Sequence, residues 1–141
     1  MSVKYLLDTN AVSALMKADA VFLARLERVQ RSLIFVPEPA FAEIAYGIER
    51  LPKSKKREIL AQRYMLVRAE LQAANWTEAV SDAFGRIKAT LERRGQRIED
   101  LDVAIAAHAA DDDAVLVTAN TGDMARIPGI KVEDWTSPPS E

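Results

Sequence analysis

The sequence contains no cysteine and a single histidine, His108. The first absence excludes disulfides, zinc–thiolate sites and thiol nucleophiles. The second excludes a metal site built on several imidazoles, so any metal would be a hard cation held by oxygen ligands. There is no unbroken apolar stretch of about 18 residues, and no membrane span is expected. The opening run Val3-Lys4-Tyr5-Leu6-Leu7 is short and ends on Asp8, which argues against a secretory leader and for a cytoplasmic location. Internal repeats, low-complexity blocks and interdomain linkers are also missing. The 141 residues, 49% of them hydrophobic, suit one domain around one core. That domain is expected over residues 1–135, with 136–141 as a loose tail.

A net charge of −2 gives no sign of a nucleic-acid binder, but the charges are segregated. Residues 50–97 hold 12 of the 19 Lys and Arg, whereas residues 98–141 hold ten acids and only Arg126 and Lys131 as bases. Such a chain either folds a basic wall against an acidic pocket or displays two solvated faces of unlike charge.

Val3–Leu7 reads as a buried strand, Ser32–Val36 as a second stopped by Pro37, Ala114–Thr118 as a third and Ile130–Val132 as a short fourth. Helical spacing appears between them. Ala11 to Met16 follows Asp8, and Phe22 to Val29 follows the candidate cap Asp19. Further helices are expected over 39–50, Lys53–Ala73, Thr77–Arg94 with Gly95 as its stop, and Leu101–Ala110. Asp111-Asp112-Asp113 reads as a solvated polar break. Apolar strands alternating with helices predict an α/β fold: a three-layer α/β/α sandwich around a mainly parallel sheet of four to five strands.

In open parallel sheets, ligands bind outside the carboxyl ends of the strands. Asp8 and Asn10 follow the first strand; Thr118, Asn120 and Asp123 follow the third. Glu43 lies inside Ala40-Phe41-Ala42-Glu43-Ile44-Ala45, and Asp102 inside the apolar run from Leu101 to Ala107. Acids in apolar elements are rare unless paired or bound to a metal. Carboxylates brought together repel, and a divalent cation removes that cost; Mg²⁺ takes carboxylates plus waters and commonly works on phosphates. Each acid also has a plainer reading. Asp8 caps a helix, Glu43 lies on an exposed helix edge, Asp102 decorates a first turn and Asp123 belongs to a turn. Glu99 and Asp100 read as exposed capping acids, and His108 as a packed histidine rather than a base.

In order and spacing, these residues resemble the PIN-domain family, most closely its VapC-type (FitB-like) toxins. Leu6-Leu7-Asp8-Thr9-Asn10-Ala11-Val12-Ser13 is similar to the family's opening motif, and Ala42-Glu43-Ile44-Ala45-Tyr46-Gly47-Ile48 to its second. Asp102 to Ala109 is similar to the third, Leu116 to Met124 to the fourth, and Val132-Glu133-Asp134-Trp135 to the usual ending. Two positions depart from the pattern: Ala119 stands where an arginine is usual, and Met124 where an aromatic often follows the last acid.

The resemblance implies a toxin ribonuclease that cuts structured RNA with a metal-activated water, works as a homodimer and is blocked by a cognate antitoxin. It makes Asp8, Glu43, Asp102 and Asp123 the catalytic acids. Asp8 and Asp102 would be direct ligands of Mg²⁺, with Mn²⁺ as the alternative ion, and Glu43 and Asp123 would act through water or a second ion. Thr9, Asn10, Ser13, Thr118 and Asn120 would form the polar surround. Lys53, Lys55, Lys56, Arg57, Arg93, Arg94 and Arg97 are candidate phosphate contacts. Two alternatives stand beside this reading. One is a Mg²⁺-dependent phosphatase with Asp8 as nucleophile, a class that usually carries a second acid where this chain has Asn10. The other is a non-catalytic PIN-fold module that binds RNA or protein.

Overall fold

The computed structural model describes residues 3–138. Strand β1 (Tyr5–Leu7) is followed by helices α1 (Thr9–Met16) and α2 (Ala20–Leu26), and a 3₁₀ turn at Arg31–Leu33 leads into β2 (Ile34–Pro37). Helices α3 (Glu38–Glu49) and α4 (Lys55–Glu70) precede β3 (Gln72–Ala74). Helices α5 (Glu78–Arg93) and α6 (Asp100–Asp112) then lead to β4 (Val115–Val117), the short α7 (Thr121–Met124) and β5 (Lys131–Glu133). The strands form one parallel sheet in the order β3-β2-β1-β4-β5, flanked by helices. This is the expected α/β sandwich.

Local chemistry accounts for most element ends. Asp19 caps α2 by accepting from Phe22 N at 2.9 Å, and Thr77 caps α5 by accepting from Val80 N at 3.2 Å. Gly95 ends α5 at φ +65°. Its N–H donates to Glu92 O and that of Gln96 donates to Leu91 O, which satisfies carbonyls the helix leaves open.

Three expectations need correction. The second strand begins at Ile34 because Arg31–Leu33 coils into the 3₁₀ turn, and Pro37 is its last residue rather than its stop. The helix expected to reach Ala73 ends at Glu70, and Gln72–Ala74 pair instead with Phe35–Pro37. Gln and Ala favour helix, yet here they satisfy the open edge of β2, and Gln72 Nε2 donates to Ser32 O at 3.0 Å. Finally, α6 runs on through Asp112 to Asp113, which closes it in the left-handed region at φ 51°. The three aspartates are exposed as expected, but two of them are helical.

The central strands bury Leu6, Leu7, Ile34, Val36, Leu116 and Val117. Helix α5 packs on α6 through Val80, Ala83, Ile87 and Leu91, a stripe at helical spacing. From Val103 to Ala109 every residue of α6 is buried, and its alanines permit close approach. Trp135 closes the other side against Phe22 (5.7 Å) and Tyr5 (5.3 Å). Of the expected tail, residues 139–141 lie outside the described residues. Thr136 and Ser137 are tied to Asp134, whose carboxylate accepts from Thr136 N at 2.8 Å and Ser137 Oγ at 2.9 Å. Among the described residues no helix is long and apolar enough to cross a membrane.

The topology places the site. From β1 the chain moves outward to β2 and β3, then returns to β4 and β5 on the other side of β1. The crevice of such a sheet opens where the direction reverses, outside the carboxyl ends of the strands there. Asp8 follows β1 and Thr118 follows β4, and these strands are adjacent.

Candidate active site

Asp8 is only 3% exposed. Its backbone N–H donates to Val117 O at 3.1 Å, extending the β1–β4 ladder, and its Oδ1 accepts from Ala11 N at 2.8 Å as the N-cap of α1. Burial raises its pKa most. Hydrogen bonds from the Thr118 side chain and the Ala11 and Asn10 backbones act against that rise, and the Glu43 charge adds to it. Asp102 lies in the first turn of α6 and is half-buried. Its pKa is pushed up to about 6, first by burial and then by the charges of Glu43, Asp8, Glu99 and Asp123.

The four acids of the sequence reading therefore lie in one electrostatic neighbourhood, although they come from four elements. Each is held differently. Thr9 Oγ1 donates to Glu43 Oε1 at 2.5 Å, joining α1 to α3. Asn120 Nδ2 donates to Asp123 Oδ2 at 3.3 Å, and Arg126 lies 3.4 Å from Asp123 Oδ1. Thr118 is buried, and its Oγ1 accepts from Asn120 N at 2.9 Å, so it links the turn after β4 to Asp8. Asn10 is exposed and contributes its backbone; Ser13 is half-buried one turn on and its hydroxyl bonds to none of the four acids.

Glu99 is an addition. It holds the N-cap position of α6 with no side-chain capping bond, and its charge acts on Asp102. Its spacing from Asp102, one helical turn, was the available signal. Asp100 instead pairs with Lys88 at 3.0 Å on the surface. His108 is buried, with Nδ1 2.9 Å from Ala104 O and its ring edge-on to Trp76 at 5.9 Å. It is packed away from the acids, as expected. The basic residues are spread out: Arg57 pairs with Glu49 at 2.6 Å, and Arg97 lines a cleft of about 360 Å³ between the end of α5 and the start of α6.

Among the described residues, Asp8, Glu43 and Asp102 take part in no ion pair. Their mutual repulsion is uncompensated by the chain itself, which suits a cation. No group of three carboxylates among those residues converges closely enough to form a ready-made cage. That donor set fits Mg²⁺, which binds one or two carboxylates and keeps several waters, better than it fits Ca²⁺ with its six to eight oxygens.

The chain is similar to known proteins over nearly its whole length. Residues 5–130 match the PIN domain family. Ribonuclease VapC2 of Rickettsia felis is 31% identical over 133 residues, covering 93% of this chain and 97% of that protein. The tRNA(fMet)-specific endonuclease VapC of Salmonella typhimurium is 26% identical over 132 residues, covering 94% and 98%. Among solved structures, VapBC2 from Rickettsia felis, bound to a DNA fragment from its promoter, superposes with a TM-score of 0.85 at 27% identity, covering 94% of this chain and 99% of that one.

Proposed function

The chain belongs to the PIN-domain family, on its VapC branch, and from that premise we propose that it is a Mg²⁺-dependent endoribonuclease acting on structured RNA as the toxin of a type II toxin–antitoxin pair. The observation that carries the proposal is the uncompensated acidic pocket at the switch point of the sheet, with Asp8 buried and Asp102 pushed up to about 6, first by burial and then by its acidic neighbours. Asp8 and Asp102 would hold the ion, Mg²⁺ or alternatively Mn²⁺. A divalent cation bound there activates a water and neutralises charge on the phosphodiester.

The chain's own residues do the rest. The cap bond from Ala11 fixes the Asp8 carboxylate before substrate arrives, so little reorganisation accompanies reaction. Glu43, held by Thr9, and Asp123, held by Asn120, are the carboxylates left to accept hydrogen bonds from water. The similarity to VapBC complexes supports a cognate antitoxin as partner, and the same reading includes a homodimer.

Asp8→Asn tests the mechanism. Asparagine caps a helix about as well as aspartate, so the fold persists while a charged ligand is lost. Mg²⁺-dependent cleavage of a stem–loop RNA should disappear with circular dichroism unchanged; undiminished cleavage would sink the proposal. The second reading is a PIN module that binds RNA or protein without cutting. Calorimetric titration separates them, because such a module would bind Mg²⁺ poorly.

A further inference from the structure

One face of α3 continues outward from the acidic pocket. Ala40, Phe41 and Ile44 are buried, Glu43 is half-buried at the edge, and Tyr46 is 66% exposed. Successive residues turn by about 100° around a helix, so Tyr46 and Arg50 lie within about 60° of Glu43, roughly 4.5 and 10 Å farther along the axis. The Arg50 guanidinium sits over the Tyr46 ring, 5.7 Å from its centroid.

An isolated exposed aromatic needs no explanation. Tyr46 is not isolated, because cations follow it, and of the nearby acids Glu49 is taken by Arg57. Arg50, Lys53, Lys55 and Lys56 are exposed, and among the described residues none of them is in an ion pair. An aromatic ring with a guanidinium on it, between an acidic pocket and an unpaired basic run, has the chemistry of a single-stranded nucleic-acid contact.

We propose that Tyr46 and Arg50 form a positioning platform for RNA. An unstacked base lies on the Tyr46 ring, and Arg50 with the following lysines meets the adjoining phosphates, which brings a neighbouring phosphodiester to the acids. The platform rests on the ribonuclease reading above and adds to it a preference for loop nucleotides. A paired base is already stacked on both faces and has none to offer.

The test uses the full chain carrying Asp8→Asn, with Mg²⁺ and a fluorescein-labelled stem–loop RNA, read by anisotropy. Adding Tyr46→Ala should weaken binding about tenfold to a hundredfold. Tyr46→Phe should stay near the parent, whereas Tyr46→Leu, apolar but without a π face, should be as weak as alanine. An abasic scan of the loop should find one position at which the difference between Tyr46 and Tyr46→Ala vanishes, which a purely structural role would not produce. In the active chain Tyr46→Ala should raise KM far more than it lowers kcat. Binding indifferent to Tyr46, or alanine and abasic effects that simply add at every position, overturns the platform and leaves the ribonuclease reading standing. So does sedimentation showing that Tyr46→Ala splits a dimer, which would make the tyrosine a contact between copies. A parent chain that binds no RNA overturns both.

Discussion

At the residue scale, capping and ion binding are compatible in Asp8, since the cap engages one oxygen at 2.8 Å. The sequence sets these readings against each other only because it shows neither the burial nor the neighbours. Asp102 gives the sharper consequence. Its carboxyl titrates near 6 in the folded, metal-free chain, against 3.8 for an ordinary aspartate. Between these values the native state binds the proton that the unfolded state has released. Stability from this group is therefore full below about pH 4 and is lost as pH rises through about 6. Asp102→Asn should remove that slope: the gain in thermal midpoint of the variant over the metal-free parent should widen between about pH 4 and pH 7. A gain that is constant with pH would show that neither burial nor the other acids raise the Asp102 carboxyl. Protons and cations compete for the same carboxylate, so Mg²⁺ affinity should rise across the same window.

At the element scale, the ends of helices separate what local sequence decides from what packing decides. The caps at Asp8, Asp19 and Thr77 and the stop at Gly95 were readable because each rests on a side chain, or the lack of one, within three or four residues. The end of α4 was not readable. Residues 71–74 carry good helix formers, and only the unpaired edge of β2, more than 30 residues earlier, draws them into a strand. Gly95 allows a clean measurement. A methyl group added there meets nothing within 4 Å, so only the left-handed backbone opposes it. Gly95→Ala should lower stability by about 1–2 kcal/mol in urea unfolding and leave RNA cleavage unchanged. A smaller loss would mean that α5 ends equally well another way.

At the scale of the whole molecule, the acidic pocket opposes folding, and on the proposed reading a bound cation would relieve it. Added Mg²⁺ should raise the thermal midpoint, with a stabilisation of about 2.7 kcal/mol when the ion is at a hundred times its Kd. Asp8→Asn and Asp102→Asn should each blunt the rise; a midpoint indifferent to Mg²⁺ in the parent would count against the ion. By itself the sequence determined most of the elements and the parallel sheet and singled out the four acids as candidates, because periodicity, breakers and acids within apolar runs are local properties of the chain. It excluded softer metal chemistry through its want of cysteine and its single histidine. Only the tertiary structure decided that the acids share one field, that Glu99 joins them, and that Tyr46 with Arg50 extends from Glu43. The first depends on distances between elements far apart in sequence, and the other two, though local in spacing, depend on burial and exposure; desolvation and Coulomb interaction take their size only once the fold has set them.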